Sequence, residues 1–131
     1  MAITAQYSQL VMPDHINNVG TLFGGQLVSW MDMAAAKTCH RFLKGTKAWG
    51  VVTKVIQEVE FSQPIHAGDW VTFRGIVVKA GKSSIVVKID AYAEGHQEDE
   101  RLACTAKIIM VAVRKDDDGN FVKFEHGKSL E

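Results

Sequence analysis

An α+β fold, a five-stranded antiparallel sheet with one long helix inserted after its first strand, follows from three features of the sequence. A proline-free, mostly apolar stretch runs from Gln26 to about Leu43, segments of alternating residues come after it, and the links between those segments are short. Short links join antiparallel neighbours, whereas parallel strands need long crossovers.

The first strand is expected near Ile3 to Val11, before a polar loop. The helix is rich in good formers, among them Leu27, Met31, Met33, Ala34, Ala35 and Ala36, and Gly45 offers a stop. From Leu27 to Cys39 only Asp32 and Lys37 are charged, the pattern of a central helix covered from more than one direction. Downstream the period becomes two. Val51, Thr53, Val55, Gln57, Val59 and Phe61 share one predicted face of a long strand from Val51 to Ser62. Further strands are readable at Trp70 to Lys79, Ser84 to Ala93 and Leu102 to Val113, with turns at His66 to Asp69, Ala80 to Ser83 and Glu94 to Glu100. The tail from Lys115 to Glu131 is polar and expected to lie on the surface or fray.

With 131 residues, 47% hydrophobic and 23% charged, residues 1–131 are expected to form a single domain around one core. Lys plus Arg and Asp plus Glu balance at 15 each, so no overall charge draws the chain to nucleic acid or an anionic membrane. Cys39 and Cys104 have no paired spacing for a metal or a disulfide framework and read as reduced, buried thiols. No basic leader precedes a long apolar run, and no segment has the length to span a bilayer, so a cytoplasmic location is expected.

The chemistry concentrates between Met12 and Cys39. Gly24 and Gly25 sit where the loop becomes the helix, a corner that either simply permits a tight turn or lets a ligand reach free first-turn N–H groups. Asp32 is a carboxylate expected to be buried, which requires a structural partner or a task. It stands seven residues beyond Gly25, about 10 Å along the axis at 1.5 Å per residue, too far to serve an oxygen held at its own helix start. Two antiparallel helices packed across a dimer axis would bring the Asp32 of one protomer to the helix start of the other. In the preceding loop Asp14, His15, Asn17 and Asn18 supply polar groups that suit a ligand or an ordinary turn.

The segment PDHINNVGTLFGGQLVSWMDMAAA, with EVEFSQPIHAGDWV and GKSSIVVKIDAYA after it, resembles the hotdog-fold acyl-CoA thioesterases, specifically the cytosolic acyl-CoA hydrolase group. The resemblance runs in order along nearly the whole chain. It implies a hotdog protomer, a homodimer with a continuous sheet, and a trimer of dimers. It also implies hydrolysis of acyl-CoA to free fatty acid and coenzyme A, with no metal and no cofactor, coenzyme A being part of the substrate. Residue by residue, Asn17 and Asp32 carry over as catalytic groups from opposite protomers, and Gly24 and Gly25 as donors of backbone N–H to the thioester carbonyl. Many similar enzymes have histidine before the double glycine, where this chain has Phe23.

On this reading Asp32 acts as general base on a water, or as nucleophile, Asn17 positions the water or intermediate, and Gly25 N–H stabilises the oxyanion. The turn Gly81, Lys82, Ser83 and Ser84 offers a cation, two hydroxyls and backbone amides to the phosphates of coenzyme A, although a plain hairpin turn carries the same residues. Two rival functions share this fold. A hydratase calls for a histidine paired with a carboxylate near the helix, and His40 lies eight residues past Asp32; a noncatalytic acyl-CoA sensor or scaffold has no need of the carboxylate.

Overall fold

The computed structural model describes residues 2–130. Its elements, in chain order, are β1 (Thr4–Leu10), a single 3-10 turn (Pro13–His15), α1 (Gly24–Phe42), β2 (Gly50–Phe61), β3 (Trp70–Ala80), β4 (Ser84–Glu94), β5 (Arg101–Lys115) and β6 (Phe121–Lys123). The sheet is antiparallel throughout, in the order β1-β3-β4-β5-β2, with β6 paired to β5. α1 packs across this sheet and meets all of β1 to β5.

Two expectations need correction. The sheet has six strands, not five, because the tail does not fray: β6 pairs its three residues with Val113 to Lys115. The turn that folds it back is specified locally. Asp116 Oδ1 accepts the N–H groups of Asp118 and Asn120, and Gly119 supplies the positive φ of 84° that such a turn needs. Second, the predicted face of β2 is broken twice by register shifts, between Thr53 and Val55 and between Gln57 and Glu60. Residues opposite one another share a face. Val51 and Thr53 therefore join Ala112 and Met110 on the helix side, and Ile56, not Val55, continues that face opposite Ile108. Within one chain the sheet covers α1 on one side only, burying the stripe Leu27, Trp30, Met31, Ala34, Ala35, Thr38, Cys39 and Phe42. On its other side Val28, Asp32 and Ala36 are half-buried and Met33 is 52% exposed.

The approach of helix to sheet is closest at Gly75, where a Cβ would overlap Thr38 Oγ1 and lie 3.0 Å from Ile89 Cδ1. Thr38 is fully buried and donates its hydroxyl to Ala34 O at 2.8 Å, so that both hydroxyl and glycine are fixed by the packing.

The two outer strands of the main path differ in their free edges. On β1, Lys37 Nζ donates to Gln6 O at 2.6 Å and Arg41 Nη1 to Thr4 O at 3.0 Å, so helix cations occupy the carbonyls that a further strand would use. β2 has no such cover among the described residues, and Val52, Ile56 and Phe61 are exposed along it.

Asp69 ties the lower turn to the sheet. Its Oδ2 accepts the His66 N–H at 3.0 Å and Arg101 Nη2 at 3.2 Å, while its own carbonyl accepts the Val11 N–H. Arg101 also reaches Pro64 O at 2.9 Å. Its side chain is 23% exposed and that of Asp69 10%, so loss of one partner strands the other in a place water reaches poorly. Asp69→Ala is expected to destabilise the fold by about 2 kcal/mol, read as a lower urea midpoint at unchanged slope.

Cys39 and Cys104 are free and buried, as expected. Burial pushes the Cys39 thiol from its ordinary 9.0 up to about 12, and burial, only partly offset by hydrogen bonds from the Glu60 and Thr105 backbone, pushes Cys104 up to about 11. Unfolded thiols ionise near 9.0, so keeping them neutral stabilises the fold fully below that pH, and this contribution is lost as the pH rises toward those values. Neither thiol is expected to react with an aromatic disulfide reagent at pH 8 in the native protein, and both are expected to react once urea unfolds it.

Candidate active site

The loop before α1 closes on itself. Asn17 N–H donates to Thr21 O at 2.8 Å, and the Asn17 side chain completes the turn: Oδ1 accepts the N–H groups of Val19 and Thr21 at 3.0 Å, and Nδ2 donates to Thr21 Oγ1 at 2.9 Å. A side-chain amide has two N–H donors. One remains for a ligand, whereas the acceptor oxygen is committed to the loop. His15 is committed as well, its Nδ1 accepting the Met12 N–H at 3.0 Å while its ring meets Trp30 edge-on at 4.9 Å.

The loop is pinned by Leu22 N–H to Ile65 O at 2.7 Å and by Phe23 N–H to His15 O at 2.9 Å, and this sets the direction in which the helix starts. Phe23 is the N-cap, with extended backbone and no side-chain cap, and its carbonyl accepts Gln26 and Leu27. The N–H groups of Gly24 and Gly25 have no acceptor among the described residues. No acidic residue occupies the first turn, so the positive end of the helix dipole is uncompensated there. A Cβ at Gly24 would lie 3.5 Å from Phe61 Cζ, and one at Gly25 would press on the exposed ring of Phe23. Beside this corner lies a cleft of about 280 Å³ lined by Thr21, Leu22, Leu27, Phe61 and the segment Ser62 to Ile65.

Asp32 is not buried within one chain, contrary to expectation: it is half-buried on the side of α1 that the sheet leaves open. Its Oδ1 accepts the Thr53 hydroxyl at 2.6 Å, leaving Oδ2 without a partner among the described residues. Thr53 is a candidate site residue that the sequence did not single out. Its signal was a hydroxyl on the helix-facing side of β2, between Val51 and Ile56. No hydrogen bond joins Asp32 to Asn17 or to the helix start, and Asp32 does not line the cleft.

The turn Gly81–Ser84 is likewise remote from the helix start of its own chain. Gly81 N–H donates to Ser84 O at 2.9 Å, and the Ser84 hydroxyl fills the space beside Gly81 where a Cβ would stand. Through His126, which contacts both Ser84 O and the Phe42 ring, the turn is placed at the C-terminal end of α1. Along the helix axis that is about 15 Å beyond Asp32 and about 27 Å beyond Gly24. Along α1 the order is thus the helix start with Asn17, then Asp32, then the turn, each separated from the next by about 10 to 15 Å. Among the described residues no group of three or more His, Cys, Asp or Glu is placed to hold a metal ion, and no helix is long and apolar enough to cross a membrane.

Fold and helix-start geometry define a class, and the sequence matches it: residues 19–109 match the thioesterase superfamily, and the chain belongs to that family. It is 32% identical over 126 residues to an uncharacterized acyl-CoA thioester hydrolase of Haemophilus influenzae, covering 93% of this chain and 79% of the relative. By contrast it spans only 18% of mouse acyl-coenzyme A thioesterase 11, to which it is 31% identical. A hexameric thioesterase from Yersinia pestis superposes with a TM-score of 0.77 at 29% identity, covering 95% of this chain and 94% of that one. An acyl-CoA hydrolase from Staphylococcus aureus, solved with butyryl coenzyme A, coenzyme A and coenzyme A disulfide, also gives 0.77 at 29% identity over 92% of this chain and 70% of that one. Alanine variants of one aspartate, one asparagine and one threonine of that enzyme have also been solved. The fold is therefore the hotdog fold.

Proposed function

We propose that the protein hydrolyses acyl-CoA to a free fatty acid and coenzyme A at sites each built from two protomers. The observation that carries this is the separation just described: free helix-start amides at Gly24 and Gly25, and a hydroxyl-held carboxylate at Asp32, about 10 Å apart along one helix. A second copy with its helix antiparallel joins the two halves. The open edge of β2 and the half-covered side of α1 offer the surface for that copy, while Lys37 and Arg41 block the β1 edge. The aspartate and asparagine replaced in the Staphylococcus enzyme stand fifteen residues apart in its chain, as do Asp32 and Asn17 here, which supports pairing them in one site.

In the composite site the thioester carbonyl lies at the helix start of one protomer, where the Gly25 N–H and the helix dipole stabilise the oxygen as it gains charge. The second Nδ2 proton of Asn17 from that protomer holds the water or the intermediate. Asp32 of the other protomer takes a proton from water through Oδ2 while Thr53 fixes Oδ1. The water oxygen bonds to the acyl carbon, the C–S bond breaks, and the proton on Asp32 passes to the departing thiolate. The phosphates of coenzyme A fall to the Gly81–Ser84 turn of the protomer that supplies Asp32. Residues 1–131 act here as one hotdog domain in the cytoplasm, and the dimers assemble in threes, as the hexameric relatives suggest.

The test is thiol release from a panel of acyl-CoA esters by wild type, Asp32→Ala and Asn17→Ala, followed by mixing the two variants. Heterodimers are expected to recover activity, because one of their two sites then contains both wild-type residues. A wild type that binds coenzyme A yet releases no thiol at any chain length ends the hydrolase reading. Verified subunit exchange without recovery ends the shared site.

A further inference from the structure

Three carbonyls of the Gly81–Ser84 turn are held by donors of the protein itself. Lys82 O accepts the His126 N–H at 3.0 Å, Ser83 O accepts the Ala112 N–H at 2.8 Å, and Ser84 O accepts both Gly81 N–H and the His126 ring. The N–H groups of Lys82 and Ser83 have no acceptor among the described residues, and the Lys82 ammonium has no carboxylate partner there. With three carbonyls held in this way the intervening amides are left free to donate, which is how a backbone segment becomes an anion-binding concavity.

Two of those three anchors come from one residue of the tail. His126 is 6% exposed, and its ring has a defined tautomer: Nδ1 accepts the Lys128 N–H at 3.0 Å, so Nε2 carries the proton and donates to Ser84 O at 3.2 Å. The ring packs edge-on against Phe42 at 5.4 Å. Residues on both sides of it are tied down. Phe124 N–H donates to Ala112 O, Phe124 and Leu130 pack on the core, and Lys128 Nζ caps Lys44 O at 2.9 Å just beyond α1. The tail is a strap from the sheet to the end of the helix, and the turn hangs from its middle.

We propose that His126 is a positioning residue for coenzyme A: by holding the carbonyls of Lys82 and Ser84 it keeps the amides of the turn directed at the phosphates. This rests on the reading that the turn binds those phosphates. His126 touches no reacting atom, and its effect is confined to substrates that carry them.

The test compares an acyl-CoA with the matching acyl-pantetheine thioester, which lacks the phosphates, on wild type and three variants. His126→Ala is expected to raise KM for acyl-CoA about tenfold, the effect of a lost anchoring hydrogen bond and a freed turn, with kcat unchanged and with both constants for acyl-pantetheine unchanged. His126→Gln, which keeps an N–H for Ser84 O, is expected to retain most of the wild-type KM, whereas His126→Asn, which keeps only an acceptor for the Lys128 N–H, is expected to behave as alanine does. That contrast carries the test even if the alanine variant fails to fold. Equal changes in both thioesters, or a glutamine variant no better than asparagine, overturn the proposal. Should wild type cleave neither thioester, the hydrolase reading falls separately. Calorimetric binding then decides for the strap: it survives if His126→Asn weakens coenzyme A but not pantetheine, and fails if both bind as they do to wild type.

Discussion

Replacing Asp32 with alanine is expected to lower kcat for acyl-CoA hydrolysis by about 10³-fold, in the range that a positioned general base contributes, while leaving the thermal midpoint within a few degrees of wild type. The two halves of that expectation come from one set of contacts. Asp32 is half-buried, and its described hydrogen bond is to the Thr53 hydroxyl at 2.6 Å, at a place solvent reaches. Removing the carboxylate leaves a hydroxyl that water can satisfy, at a cost of about 1 kcal/mol. Oδ2 has no such structural employment, and a carboxylate oxygen held by its neighbour yet left unpaired suits proton abstraction. Thr53→Val, which keeps the shape of the side chain, is expected to reduce kcat by about tenfold, because it loosens the carboxylate without removing it. Initial rates by thiol release, paired with thermal melts, check both. An alanine variant with more than a tenth of wild-type kcat would refute the role of Asp32 as base.

Sequence pattern located the elements well and their deviations poorly, for identifiable physical reasons. Helix formers without proline or glycine from Gln26 onward gave the body of α1, and alternation gave β3, β4 and β5 nearly to their ends. Periodicity is blind to an inserted residue, so the register shifts in β2 were invisible: Glu58, with its φ of 53°, looks like any residue of an alternating strand. The tail looked polar because its anchors are scattered among backbone groups, His126, Lys128 and the separate apolar residues Phe124 and Leu130, with no apolar run. Asp116 to Gly119 has the residues that a hairpin with a positive-φ glycine demands, yet the expectation for this stretch was only a polar tail.

Within the candidate site, residue types were readable and commitments were not. Asn17 looked like a free amide, but its oxygen is spent on Val19 and Thr21, which narrows it to a one-proton donor. Asp32 looked buried because the helix around it is apolar, yet the sheet covers only the stripe from Leu27 to Phe42. An apolar helix with a half-exposed carboxylate on its open side is an incomplete object in one chain. The same incompleteness that misled the burial estimate is what points to a second protomer.

Gly75→Ala is expected to destabilise the protein by about 3 kcal/mol, lowering its thermal midpoint by about 10 °C. In most strands a glycine is a weakness and alanine an improvement, since glycine loses more freedom on folding. Here the sign reverses, because β3 passes directly under α1. The added Cβ would overlap the Thr38 hydroxyl and press on Ile89 Cδ1 at 3.0 Å. Neither neighbour can yield at low cost: Thr38 is 0% exposed with its hydroxyl bound to Ala34 O, and Ile89 is 0% exposed in the centre of β4. The clash must then be relieved by lifting the helix, which loosens the contacts of Met31, Ala35 and Phe42 with the sheet. If that is the cause, Thr38→Ala should rescue, because it removes the atom that the Cβ strikes. The double variant is expected to recover about half of the loss; with Thr38→Ala alone costing about 1 kcal/mol, that is a coupling energy of about 2.5 kcal/mol in a double-mutant cycle followed by urea unfolding. Strict additivity of the two substitutions would show that the helix is not held off the sheet at this point, and that the cost of Gly75→Ala arises elsewhere in β3.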